Sequence, residues 1–519
     1  MMNYFSKLAL ISLTLVTLFI PMEAAADAPK SGGTVTMAIR KDLRVLNPLV
    51  RTSSTDQSIR ELMFESLLTL DEQGRIKPNL AESWKISSDG KTYTFKVREG
   101  VKFHNGQEMT AEDLKFAIDY TINPKNSAYG IRLLRAVERA EATGKYTLSI
   151  QLKKPNPAFL SFLINIKAFS AIPSESIPQG VRKIRNFPPG TGPFRFKEWQ
   201  PKQKIVMERF DGYWGKKPYL DRVVLRPIKN ATVRFTALRA GDVDIVERTS
   251  YEWVSQVKKG RFKGLGIAEA KYANLRGITF NVADPPFKNK TLRRAVAHAV
   301  NKKEILSAAY FGFGQPDDQR YPKGHTWHFD GLPWPEYNPE RAKKMLKEAG
   351  YKGEMLELTT APGEVQETMA AVLQAQLKRV GVPVGLAVMD ISAYNERERK
   401  GQFAFRFRGG DFFPDPWTTY ARHYVCEADL KKRITNISGY CDPQMEKWLK
   451  AAESELNDAK RRELFRKIMT KAAEDAPQIY IGFIPRFFVY REHVKGFTTG
   501  PDGRFVWAGG GLTRTWVDR

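Results

Sequence analysis

The feature that most constrains this chain is a repeated switch in apolar spacing, from every second residue to every third or fourth. In "TYTFKV", Tyr93, Phe95 and Val97 alternate with polar residues, the pattern of a half-buried strand. Thr110 and Asp113 then form a capping pair, Leu114, Ala117 and Ile118 share one helical face, and Pro124 stops the helix. The order returns in "GITFNVADPPFKNKTLRRAVAHAV", where a strand and a Pro-rich turn lead into an amphipathic helix. It returns again in "MLELTT" followed by "ETMAAVLQAQLKRVGVPVGLAVM". Strands that alternate with helices build α/β sheets, not an all-β sandwich.

Size and compartment bound the reading further. An apolar run of about 13 residues, Leu8 to Ile20, follows Lys7 and ends in Ala24, Ala25 and Ala26. That is the form of a secretory signal peptide over residues 1–26. The run is shorter than the roughly 18 residues a membrane span needs. No cysteine follows it, so a lipoprotein is not expected. The expectation is a soluble protein of about 490 residues, exported to an extracytoplasmic space and long enough for two or three domains.

The formal net charge is +26, with 83 Lys and Arg against 57 Asp and Glu. A polycation draws nucleic acid, membrane surfaces or acidic ligands. The basic residues are spread along the chain, in short runs that read as solvated helix faces, and no RNA- or DNA-binding signature accompanies them. Nucleic acid is therefore not an expected partner. The cysteine count is two, Cys426 and Cys441; an even count in an exported chain favours a disulfide over two buried thiols.

The stretch "AESWKISSDGKTYTFKVREGVKFHNGQEMTAEDLKFA" carries a resemblance. With Trp84, Asp89, Gly90, Gly100, Phe103, Gly106 and Asp113 in their places, it is similar to the family 5 extracellular solute-binding proteins, the peptide/nickel-type periplasmic receptors of ABC importers. "LNPL", "GTGPFRFKEW", "YWGKKPYLDRVVLRPI", "ALRAGDVDIV", "AKKMLKEAGY" and "YCDPQMEKWLKAA" follow in family order, so the resemblance spans the mature chain. It implies a type II periplasmic-binding-protein fold: two α/β lobes with a hinge, plus an extra α/β domain. Lobe I would take residues 33–70, 190–285 and 485–519. The extra domain would be 71–189, inserted in lobe I, and lobe II would be 286–484. It also implies a monomer without cofactor that performs no chemistry. Such a receptor binds a peptide or peptide-like, zwitterionic solute and delivers it to a permease driven by cytoplasmic ATPases. The alternative is a polycationic exported chaperone or envelope-binding protein on the same fold.

The candidate site centres on "RFRGGDFFPDPW", residues 406–417. By the resemblance, Asp411 matches an aspartate that holds a ligand ammonium. One extra residue before Pro416 makes Asp415 a competitor. Arg408 stands where peptide-binding members often carry Trp, and a guanidinium there pairs with carboxylate or phosphate. Strand alternation offers a different outcome, with Arg406 and Arg408 on a solvent face and Phe405 and Phe407 inside. Phe412 and Trp417 would give the cleft aromatic area. Thr52, Ser53 and Ser54 align with a pocket-lining loop, and Tyr129 with a pocket tyrosine that could equally pack on the extra domain. The six histidines include only one close pair, in "HTWH", which reads as a Trp-rich loop and not a metal site.

Overall fold

The computed structural model describes residues 28–518 except 45–46, 51–53, 72–73, 127, 165–168, 175, 178–186, 411–413, 432, 434 and 508–509. The expected signal peptide lies outside the described residues. Among those described, no helix is long and apolar enough to cross a membrane.

Most strands belong to one 11-stranded sheet. From one edge it runs Val384–Val388, Leu356–Thr360, Phe405–Gly410, Leu265–Phe280, Gln478–Arg491, Ile245–Glu247, Thr34–Ile39, Arg222–Pro227, Lys204–Arg209 and Phe194–Gln200; Gln315–Pro316 pairs with Gln478–Arg491 off this path. Two long antiparallel strands, Leu265–Phe280 and Gln478–Arg491, join its halves. Their outer parts pair Leu265 with Arg491 and Ala270 with Arg486. There Phe488 to Tyr490 also pair with Ile245–Glu247. Their other parts pair Asn274 with Ile484 and Thr279 with Gln478. There Leu275 to Phe280 also pair with Phe405–Gly410.

The register shifts between Ala270 and Asn274, so the ladder breaks where the two strands pass from one half-sheet to the other. Gly482 sits beside this passage at φ 146°, against the backbone of Gln315 and Pro316, where a Cβ would overlap. Only glycine fits that approach.

A separate antiparallel sheet orders Ala81–Ile86, Thr92–Val97, Thr147–Leu152 and Val137–Gly144. The helix Ala111–Ile122 packs on it, and Asp113 accepts from the Thr110 N–H at 2.8 Å, as the capping pair requires. Tyr93, Phe95 and Val97 enter the same core as Leu114, Ala117, Phe194 and Val223, so this unit shares apolar contacts with the first half-sheet. Each large apolar side chain buried this way contributes about 1.5–3 kcal/mol. A second core, with Ile278, Phe405, Phe407, Leu358 and Leu373, lies on the other half. A third, aromatic core holds Tyr321, Tyr420, Tyr424 and Phe465.

Candidate functional site

The strand Phe405–Gly410 alternates as its sequence demands. Phe405 and Phe407 are buried in the second core. The opposite face is partly closed off from solvent, so the alternative of a solvent face fails for Arg406 and holds only in part for Arg408. Arg406 is buried, stacks 3.8 Å from the Tyr394 ring centre and is ion-paired with Glu398. Arg408 is half-buried and faces a cavity of about 280 Å³.

Several elements build that cavity. Arg408, Gly409 and Gly410 come from the strand, and Asn274 comes from the long strand just beyond the register shift. Thr419, Arg422 and His423 come from the helix Pro416–Tyr424. Their i, i+3, i+4 spacing places them on one face. Arg320 comes from the loop after Gln315–Pro316. The glycines have a steric reason. A side chain at 410 would overlap the Arg320 guanidinium, and one at 409 would crowd Arg276 and Asn274.

The helix that carries Thr419, Arg422 and His423 is fixed by Asp415. Its carboxylate accepts from the Trp417 N–H at 2.9 Å as N-cap, with Pro416 in the first helical turn. The same carboxylate takes both Arg461 nitrogens, at 2.7 and 2.9 Å, in a buried bidentate pair.

Three guanidinium groups border the cavity, and none of its described lining residues is an acid. Burial, then the charges of Arg406, Arg320 and Arg422, lower the Arg408 pKa to about 9. Burial, then the charges of Arg320, Arg408 and Arg422, pushes His423 well below its ordinary value, so the ring is neutral near pH 7. Its Nε2 lies 2.9 Å from Arg320 Nη1; arginine can only donate, so Nε2 accepts and Nδ1 carries the proton. Arg408 Nη2 donates to the Thr435 carbonyl at 3.4 Å, while its Nη1 is buried without a hydrogen-bond partner. A buried donor left unpaired costs about 1–3 kcal/mol.

Thr435 belongs to the loop closed by the Cys426–Cys441 disulfide, whose Cα atoms are 4.7 Å apart. Glu427 accepts from the Thr435 and Asn436 N–H groups, both at 2.9 Å, and Asn436 donates to the Val425 carbonyl at 2.9 Å. The disulfide loop therefore presents a carbonyl to Arg408.

A second cavity, about 200 Å³, shares Asn274 and lies along the strand passage at Pro485 and Arg486. Its wall mixes charges, with Arg248, Arg276 and Arg486 against Glu252 and Glu364, and includes Phe311 and Phe487. The two cavities meet at Asn274, the first lined by arginines and the second by groups of both signs.

The remaining expected residues fall as follows. Trp417 donates its indole N–H to the Leu449 carbonyl at 3.2 Å and carries Arg135 5.7 Å above its ring. The Tyr129 N–H donates to the Leu49 carbonyl at 2.9 Å. Neither Trp417, Tyr129 nor Asp415 borders the two cavities. Ser54 opens the helix Ser54–Arg60. Thr52, Ser53, Asp411 and Phe412 lie outside the described residues. Sequence reasoning missed Asn274, Arg320, Thr419, Arg422 and His423. The signal for three of them was present in the helical spacing of "TTYARHY".

Residues 75–429 match the family model described as bacterial extracellular solute-binding proteins, family 5. The chain belongs to this family. It is 28% identical over 505 residues to the glutathione-binding protein GsiB of Pectobacterium atrosepticum, covering 95% of each chain. It is also 28% identical over 491 residues to the dipeptide-binding protein of Escherichia coli, covering 88% of this chain and 90% of that one. The solved structure of the ABC transporter substrate-binding protein CtaP from Listeria monocytogenes superposes with a TM-score of 0.84. That likeness covers 94% of this chain and all of the other, at 25% identity. The expected type II periplasmic-binding-protein fold is the fold of this protein.

Proposed function

We propose that this protein is a periplasmic receptor that captures a small peptide or peptide-like solute in the cleft beside the strand passage. It then delivers the solute to the permease of an ABC importer. The observation that carries the reading is an arginine-lined cavity at the passage between two half-sheets, in a chain of a solute-binding family. Relatives that bind glutathione and dipeptides support the ligand class. The lobes are 33–70, 190–285 and 485–519, with 71–189 inserted, and 286–484. They close by bending at residues 271–273 and near Pro485, a hinge motion. Asp411, at the end of the arginine strand, holds the ligand ammonium, and Arg408 its carboxylate. The protein works as a monomer and carries out no chemical step.

The test is ligand-driven closure. Protein purified from native periplasm is stripped by denaturation and refolding, and the released solute is identified by mass spectrometry. Adding it back should reduce the radius of gyration in X-ray scattering and raise the melting temperature. No compaction, together with steeply salt-dependent binding to lipopolysaccharide, would replace this reading with an envelope-binding role, which the +26 charge favours.

A further inference from the structure

We infer that the four-stranded unit is a clasp: one end of its sheet grips the other half of the protein through Trp417, and that grip sets how long a captured solute stays in the cleft. This rests on the receptor reading above and adds the device that holds the receptor shut.

The sheet register brings three separate segments to that end. Ile86 pairs with Tyr93, Thr92 with Gln151 and Val137 with Leu152. The turn holding Gly90, the segment after Leu152 holding Lys154 and the segment before Val137 holding Arg135 therefore lie side by side. Each meets the other half. Arg135 stands 5.7 Å above the Trp417 ring and 3.8 Å from Glu453. Lys154 meets Glu453 at 2.6 Å. Gly90 faces Leu456 so closely that a Cβ there would lie 2.7 Å from its side chain.

Trp417 is the apolar centre of these contacts. Among the described residues it alone packs on both the first core and the third. The first core joins the four-stranded unit to the first half-sheet, and the third is built from residues 321–472. The basic partners of Glu453 are more than half exposed, so those ion pairs contribute little. The half-buried indole, with apolar area and a guanidinium over its face, carries the hold.

The same indole is tied to the first cavity. Trp417 and the lining residues Thr419, Arg422 and His423 share the nine-residue helix Pro416–Tyr424. The Trp417 indole N–H donates to the Leu449 carbonyl on Pro443–Ser454, the helix that carries Glu453. So short a helix moves as one body. Whatever sets Thr419, Arg422 and His423 against a solute also sets Trp417 against the four-stranded unit.

The experiment uses the full mature protein, stripped and then given back the solute released from native periplasm. A water-soluble carbodiimide joins a lysine amine to a carboxylate touching it; the amide forms as the carbodiimide takes up one water and leaves as a urea. The Lys154–Glu453 amide, read by peptide mass spectrometry, should increase when the solute is added. Trp417→Ala should release the solute about tenfold faster, with an association rate within about twofold of the parent. Arg135→Glu, at a side chain 67% exposed, leaves the packing of Trp417 on the third core untouched. It removes the cation over the ring and sets a carboxylate beside Glu453, so release should quicken by about fivefold. If Trp417→Ala does not fold, Arg135→Glu alone decides. Release at the parent rate from the folded variants would overturn the clasp, and so would an amide yield that the solute does not change. Both results leave the receptor reading standing where the parent binds and compacts. A parent that neither binds nor compacts would remove the receptor reading itself.

Discussion

Asp415→Ala is expected to damage the fold and to leave ligand contacts in place. The Asp415 and Arg461 side chains are 11% and 4% exposed and form a two-point ion pair. Arg461 also donates from Nε to the Ala452 carbonyl at 3.0 Å, so it cannot swing to water when its partner is removed. Breaking such a pair strands a buried cation and costs about 3–5 kcal/mol. Loss of the cap on the helix Pro416–Tyr424 adds about 1 kcal/mol, not strictly additive. If the half of the protein carrying the pair melts as a unit of about 200 residues, each kcal/mol lowers its melting temperature by about 2–4 °C. The expected drop is therefore about 10–20 °C, read by scanning calorimetry. Arg461→Met added to Asp415→Ala should recover part of it, because removing both charges is far cheaper than removing one. Calorimetric titration of the released solute, well below the lowered melting temperature, should give an affinity within about threefold of the unchanged protein. The reasoning is refuted if Asp415→Ala melts within about 2 °C of the parent, or if it abolishes binding while stability is kept.

Glu65 gives a pH signature. It accepts from Tyr213 Oη at 3.1 Å and Trp214 Nε1 at 2.9 Å, yet burial outweighs these bonds and pushes its carboxyl up to about 7. The folded state thus holds that proton more tightly than the unfolded chain. The contribution is full below about pH 4.5 and is lost as pH rises through about 7, up to ~3 kcal/mol. Glu65→Gln should flatten the fall in urea stability between pH 5 and pH 8; an unchanged fall would count against it. Replacing Cys426 and Cys441 by Ser opens a bridge of sequence separation 15. That should cost about 3 kcal/mol. It should also weaken solute binding, because the Thr435 carbonyl that steadies Arg408 loosens; intact binding with lost stability would dissociate the loop from the site. Glu453, on the helix Pro443–Ser454, meets Lys154 at 2.6 Å and Arg135 at 3.8 Å from the side of the four-stranded sheet. Both basic side chains are more than half exposed. Glu453→Gln should therefore change solute affinity by less than about fivefold; a hundredfold loss would mean that these contacts govern closure.

The elements were legible wherever periodicity and caps agreed. Tyr93, Phe95 and Val97 and the Thr110–Asp113 pair announce a strand and a helix, and both are present. The "PDPW" sequence reads equally as a ligand anchor or a turn. Its use as N-cap becomes visible only when Arg461, 46 residues later, is seen to saturate both carboxylate oxygens. Strand alternation correctly separates Phe405 and Phe407 from Arg406 and Arg408. It cannot say whether the polar face meets water or a cleft, because that depends on what lies across from it. Here Tyr394 and Glu398, from the helix just before the strand, and Arg320 and His423, from other elements, do. For the same reason Arg320 and Asn274 carry no local mark: one stands in a loop and the other beside a register shift.

The position of the cleft follows from the sheet. Each half-sheet has its own apolar core, and only two strands of the main sheet run through both. A continuous two-stranded ladder would resist bending, but the pairing is interrupted between Ala270 and Asn274, opposite the stretch from Ile484 to Arg486. Interrupted hydrogen bonding there, and at a second register shift between Arg276 and Gly277, makes this stretch softer than the regular ladder beside it. Asn274 and Pro485 there also border the cavities, so in the proposed receptor the groups that would meet a solute and the backbone that would flex are the same few residues. On that proposal a contact made in the cleft would act on the bend directly, without a relay through either core.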